Sequence, residues 1–167
     1  MLRHSMVISL LLLACLALCA STREAIADDF IVDGFRGIRW GDGPSALGKD
    51  RILVGESESE ITYMRNNDAM SFYGIRTEQP LYVFSKRGLT YAYARFTGIE
   101  KYGQFLRLFN DNGIHLDDMS ADFFGEHIAG TNISYTKMHI VETRITGITL
   151  EFFSDNTGTV TVYQNNP

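Results

Sequence analysis

The run LYVFSKRGLTYAYARFTGIEKYGQFLRLFNDNG, residues 81–113, decides the fold. Apolar residues recur at every second position in its first half and at every third or fourth in its second. It therefore reads as a β-hairpin that feeds directly into an amphipathic helix. The arms are Leu81–Ser85 and Leu89–Phe96, joined across Lys86-Arg87-Gly88. In the second arm Thr90, Ala92 and Ala94 face one way, and Tyr91, Tyr93 and Arg95 the other. The small side chains leave room for a helix to lie close. Thr97-Gly98-Ile99-Glu100 has capping-box spacing. Ile99, Tyr102, Leu106 and Phe109 then repeat at helical spacing, with Phe105 widening the stripe. Gly113 suits a left-handed cap, with Ile114 as its apolar contact. The spacing predicts a helix near residues 98–112.

Outward from this run, short segments punctuated by single glycines read as strands: Phe35–Trp40, Ile52–Val54, Ile61–Arg65, Met70–Arg76, Ile133–Val141, Ile145–Phe153 and Gly158–Gln164. A second helical stretch is expected over Asp118–Phe124. Strands on both sides of one main helix predict an α+β fold, an antiparallel sheet packed on that helix. The alternative is two small sheets sandwiching it. No linker and no repeat at a fixed period interrupts the chain, which predicts one domain over residues 28–167.

The front of the chain is of another kind. Arg3 and His4 precede an apolar run from Met6 to Ala20, and Ala25-Ile26-Ala27 offers small residues where a signal peptidase reads. The run is shorter than the roughly 20 residues a membrane-crossing helix needs. The main expectation is a signal peptide, residues 1–27, cleaved after Ala27, and a periplasmic or secreted product. The alternatives are a lipoprotein anchored at Cys15, within Leu12-Leu13-Ala14-Cys15, and an uncleaved anchor.

Cleavage changes the composition that matters. It leaves 140 residues with 13 basic and 19 acidic side chains, a net charge of −6, and removes both cysteines. That balance argues against nucleic acid as a partner. A cysteine-free domain has no disulfide, thiol nucleophile or thiolate ligand, although its compartment permits disulfides.

The segment Gly34-Phe35-Arg36-Gly37-Ile38-Arg39-Trp40-Gly41 resembles a broad group of small exported bacterial proteins, many of them predicted lipoproteins. Their F-x-G-I-x-W-G start is followed by a Y-x-F…G-L hairpin, an amphipathic helix and closing strands with aromatic residues. Tyr82, Phe84, Gly88 and Leu89 fall on the hairpin pattern, and Leu150-Glu151-Phe152-Phe153 on the closing one. The resemblance implies a shared fold and carries no catalytic residue over. The chain departs from it after the helix, where the acidic segment 117–126 stands in place of a tyrosine-glycine-proline step. Trp40, with glycine after it, suits a structural anchor more than a ligand-stacking ring.

Candidate chemistry is sparse. Gly43 to Lys49 fits G-x-x-x-x-G-K, but Asp50 follows where a phosphate-binding loop needs Ser or Thr on Mg²⁺, so the segment reads as a turn. Between His115 and His127 lie six potential ligands: those two histidines with Asp117, Asp118, Asp122 and Glu126. On a continuous helix Asp118, Asp122 and Glu126 share a face and could hold Ca²⁺ or Mg²⁺; the competing reading is a solvated acidic face. No G-x-S-x-G elbow is present, and His139 reads as a strand residue. A carboxylate pair of the glycosidase kind needs a larger cleft than 140 residues commonly provide. No cofactor is expected.

All 20 aromatic residues follow residue 27. Tyr91 and Tyr93 point away from the helix side, and Tyr82 and Phe84, opposite them, could complete an aromatic patch for a sugar, peptide or protein. Cross-strand pairing under flanking segments is the structural alternative. The sequence thus predicts a non-catalytic binding module of the periplasm or cell envelope, with an envelope protein or small ligand as partner. The alternatives are a lipid-anchored envelope assembly or stress factor, and a small carboxylate-dependent hydrolase.

Overall fold

A computed structural model describes residues 33–165; the expected signal peptide and Cys15 lie outside the described residues. In chain order the strands are β1 Gly34–Phe35, β2 Ile38–Arg39, β3 Arg51–Glu56, β4 Glu60–Arg65, β5 Ser71–Phe72, β6 Ile75–Arg76, β7 Leu81–Ser85 and β8 Gly88–Thr97. Helix α1, Ile99–Asp111, follows, then β9 Asp117–Asp118, the short α2 Ser120–Phe123, and β10 Tyr135–Glu142, β11 Thr146–Phe153 and β12 Thr157–Gln164. Eight strands form one antiparallel sheet in the order β3-β4-β7-β8-β12-β11-β10-β9. The protein is mostly β, with one main helix, and one continuous sheet forms in place of two sheets sandwiching that helix. Among the described residues no helix is long and apolar enough to cross a membrane.

Register assigns the faces. Tyr82, Ala92, Val162 and Ile148 stand opposite one another across β7, β8, β12 and β11, as do Ala94, Val160 and Leu150 one pleat along. All are buried, and α1 lies over them: Phe105 contacts Phe96 and Tyr102 contacts Phe152, with ring centroids 5.3 and 5.7 Å apart. The buried stripe of α1 is Tyr102, Phe105 and Phe109. Ile99, expected inside, is 42% exposed because it sits in the first turn, ahead of that stripe.

Both ends of α1 bear on the sequence reading. The C-terminus closes as expected: Ile114 N–H donates to Phe109 O (2.9 Å) and Gly113 N–H to Asn110 O (3.0 Å), with Gly113 at φ +76°. The expected capping box does not form. Thr97 stays in β8 opposite Thr157, Gly98 is the N-cap, and no side chain caps it. The ladder holds the residue that the cap requires.

Two expected strands fold back on themselves. Phe35–Trp40 is the hairpin β1–β2, and Met70–Arg76 contains the hairpin β5–β6. Arg36-Gly37 and Tyr73-Gly74 have positive φ at both positions, the geometry of a two-residue type I′ turn. Each hairpin carries the same five-residue pattern, Phe35-Arg36-Gly37-Ile38-Arg39 and Phe72-Tyr73-Gly74-Ile75-Arg76. Their phenylalanines stack at 4.7 Å, and Phe35 also meets Tyr82 at 5.8 Å. The pair therefore shares the helix side of the sheet, and Tyr73 touches α1 through Phe109. Arg36 joins the two hairpins: its guanidinium donates to Asp68 Oδ1 (2.6 Å) and Ser71 O (2.5 Å). Asp68 in turn accepts from the Tyr82 hydroxyl.

Trp40 is half-buried, and its indole N–H donates to Thr146 Oγ1 at 3.1 Å. Gly41 and Asp42 continue as a backbone pair with Leu89 (3.1 and 2.8 Å). The F-x-G-I-x-W-G segment and the hairpin's Gly88-Leu89 step are thus two halves of one contact. Pro44–Leu47 then makes a single 3₁₀ turn, in keeping with the turn that Asp50 after Gly43–Lys49 predicts.

Candidate functional site

The opposite face of the sheet carries the half-exposed chemistry. One row runs across all eight strands as Ile52, Met64, Leu81, Tyr93, Thr161, Thr149, Ile140 and Asp117. The next row places Val83, Tyr91, Tyr163 and Gly147 side by side. Tyr91 and Tyr93 lie along β8 with ring centroids 6.1 Å apart, tilted by 32°. Tyr163 leans over Gly147, where a Cβ would stand 2.1 Å from the ring, so glycine at 147 is what lets that phenol lie flat.

Carboxylates hold these rings by their hydroxyls. Tyr91 donates to Glu60 Oε2 at 3.0 Å, and Tyr163 to Glu142 Oε1 at 2.8 Å. Burial, reinforced by Glu60, pushes the Tyr91 phenol up to about 12. Burial and Glu142 raise Tyr163, and burial alone raises Tyr93. Beyond this trio, burial raises Glu151, opposed by a hydrogen bond from Tyr135. Thr149, Thr159 and Thr161 add half-exposed hydroxyls between the rings. The surface offers flat apolar rings fixed in place, with acceptors and hydroxyls at their rims. Such a surface suits binding by stacking and hydrogen bonding.

The four rings grouped from sequence divide between the two faces. Tyr91 and Tyr93 lie on this outer surface. Tyr82 and Phe84 are 0% and 2% exposed and belong to the helix-side core, so they leave the proposed patch. A bulge explains why the hairpin cannot bring all four together: Thr90 is the extra residue, Val83 faces Tyr91, and Phe84 faces Leu89. Tyr163, Glu60 and Glu142 were absent from the sequence reading. The alternation of Thr159, Thr161 and Tyr163 put that tyrosine on a polar face. That β12 lies next to β8 is a long-range pairing without a local signature.

The acidic segment does not form the helix on which Asp118, Asp122 and Glu126 would share a face. Asp118 pairs with His139 in β9, its carboxylate accepts from Ser120 N–H at 2.9 Å, and helix α2 spans only Ser120–Phe123. The Ser120 hydrogen bonds hold the Asp118 carboxyl below its ordinary value. Gly125, at φ +82°, then turns the chain so that Glu126 O accepts from Tyr135 N–H. Of the other ligand candidates, His115 lies 3.3 Å from Asn110 and His127 bridges to Ser134. Among the described residues no three His, Cys, Asp or Glu gather into a metal-binding group.

His139 is a hydrogen-bonded strand residue. Its Nδ1 lies 2.5 Å from the Tyr102 hydroxyl, and its Nε2 3.9 Å from Asp118 Oδ2. Burial pushes the Tyr102 phenol above the ordinary tyrosine range, which keeps it protonated. The contact fastens α1 to β10.

No family model, curated protein or solved structure matches this chain.

The raised phenols give an alkaline signature. A tyrosine whose folded value exceeds its unfolded 10.0 contributes stability that is complete below pH 10 and lost as pH rises through the folded value. For Tyr91 that window runs from about 10 to about 12. Thermal melts across this range should show a level midpoint up to about pH 10 and a fall above it. A midpoint still level at pH 12 would contradict the buried, carboxylate-held phenols.

Proposed function

We propose that this chain is a non-catalytic binding module, exported to the periplasm or cell envelope, that holds its ligand on the outer sheet face. The observation that carries the reading is the trio Tyr91, Tyr93 and Tyr163, half-exposed on adjacent strands, with two of its hydroxyls fixed by Glu60 and Glu142. Rings held this way lose little freedom on binding, so their apolar surface contributes more of its contact energy to the complex. The apolar run ahead of Ala27 supports export, and the mature charge of −6 supports a partner other than nucleic acid.

The reading is tested in cells with a photo-crosslinking phenylalanine analogue at position 93 and, as control, at Arg107 on the exposed side of α1. Crosslinks should appear in the envelope fraction from position 93, and the double substitution Tyr91→Ala, Tyr163→Ala should reduce their yield about tenfold or more. Equal yields from positions 93 and 107 would remove the outer face as the binding surface. Recovery of the chain from the cytoplasm alone would remove export.

A further inference from the structure

The sheet ends differently at its two edges. At one end β9 is two residues long, and both are aspartates, Asp117 and Asp118. A second copy approaching there meets like charge and almost no ladder. At the other end β3, Arg51–Glu56, is exposed along its whole length, and among the described residues no strand lies beyond it. Ile52, Leu53 and Val54 are 38%, 53% and 49% exposed. The strand contains no proline, and its only charged residues are at its ends. An apolar edge of this kind recruits a further strand.

The charges and the β3 bulge point to which strand. Asn66 N–H donates to Asp50 O (2.9 Å) and Ser57 N–H to Glu60 O (2.8 Å), which sets the hydrogen-bond phase of β3 against β4. By antiparallel alternation Ile52 and Gly55 turn their backbone groups toward β4, while Arg51, Leu53 and Glu56 turn theirs outward. The bulge lies between Leu53 and Gly55. Without it, Arg51 and Glu56 would point to opposite faces. With it, Arg51 (opposite Arg65), Leu53 (opposite Tyr63) and Glu56 (opposite Ile61) share the helix-side face. In an antiparallel pairing of β3 with a second β3, the two-fold axis stands perpendicular to the sheet, so paired residues must come from the same face. The bulge therefore permits a register that a regular strand forbids: Arg51 opposite Glu56 at both ends and Ile52 opposite Gly55, with the two-fold axis passing between the two Leu53-Val54 steps.

We propose that two copies of this chain associate through their β3 strands in this register, forming one antiparallel sheet of sixteen strands across a two-fold axis. Because the acidic β9 edge resists the same pairing, assembly stops at the dimer instead of extending into a fibre. The axis sets both outer faces on one side, giving a bivalent platform of six tyrosines. The interface is one six-residue strand per copy and falls among small, weak interfaces, so the dimer dissociates on dilution.

Sedimentation velocity over a concentration series, on the protein as the expressing cell delivers it, tests this. The native chain should move from monomer to dimer with rising concentration. Glu56→Arg and Arg51→Glu each set like charges opposite one another at both ends and should weaken the dimer at least tenfold. The double swap Arg51→Glu, Glu56→Arg restores opposite charges and should recover the dimer to within a few-fold. Thermal melts at low concentration show whether each variant folds, and the double swap carries both changes, so its recovery separates pairing from folding. A native chain that stays monomeric at every concentration overturns the proposal. So does a dimer indifferent to both single reversals, or one that the double swap does not restore.

Discussion

Gly88→Ala lowers the stability of the protein by about 3–5 kcal/mol, more than most single substitutions do. Two effects add there. Gly88 has φ +97°, a conformation that a residue with a Cβ occupies at a cost of about 1–3 kcal/mol. The new methyl would also stand 2.0 Å from Gly41 O, a backbone atom with little freedom to withdraw. Gly41 and Asp42 are tied there by the bonds to Leu89, so relief of the clash must break that pair. Gly37→Ala is the control. It has φ +78° and nothing within 4 Å of the added methyl, so it should cost about 1–2 kcal/mol from strain alone. Urea unfolding of the two variants against the native chain measures the difference. Equal losses, or a Gly88→Ala loss under about 1 kcal/mol, would show that the close approach of residues 41 and 88 has no energetic weight.

Phe72→Ala costs about 3–5 kcal/mol, the range for deleting a fully buried aromatic ring. Phe72 is 0% exposed, stacks on Phe35 at 4.7 Å, and meets Tyr73 edge-on at 5.1 Å. The cavity would open between the two mini-hairpins, and each is only two residues per strand, too short to hold its shape without the contact. Phe35→Ala should cost a similar amount. Because both substitutions remove the same stack, the double variant should lose less than the sum by about 0.5–1.5 kcal/mol. A double-mutant cycle from denaturant melts reads that coupling. Strict additivity would mean that the two hairpins contribute independently and that their shared pattern has no joint role in the core.

How far the sequence could be read depended on the range of the interaction. The β7–β8 hairpin, α1 and the last three strands were legible because alternation, helical spacing and turn residues act over a few neighbours. The two mini-hairpins have the local signature of single strands, because Arg36 and Tyr73 are unfavourable at positive φ and Phe-x-Gly-Ile-Arg looks like a short extended run. The contacts that offset that cost come from elsewhere: Asp68 and Ser71 on Arg36, and Phe35 and Phe109 on Tyr73. Thr97 shows the same limit at a helix end, where a sound capping signal yields to a ladder partner sixty residues on.

The candidate site was half legible for the same reason. Tyr91 and Tyr93 follow from alternation within one strand. Tyr163 joins them only because β12 inserts beside β8, and Tyr82 and Phe84 leave because Thr90 bulges. The expected acidic helix fails because Asp118 pairs with His139 and Gly125 turns the chain.

By itself, then, the sequence determined the local elements of the β7–β8 hairpin, main helix and closing strands, all matters of nearest-neighbour chemistry. Only the tertiary structure decided which tyrosines share a face, that the two Phe-x-Gly-Ile-Arg segments meet, and that β3 is an exposed edge. Those outcomes rest on strand order, bulges and long-range burial, whose free energy belongs to pairs of segments and is carried by neither one alone.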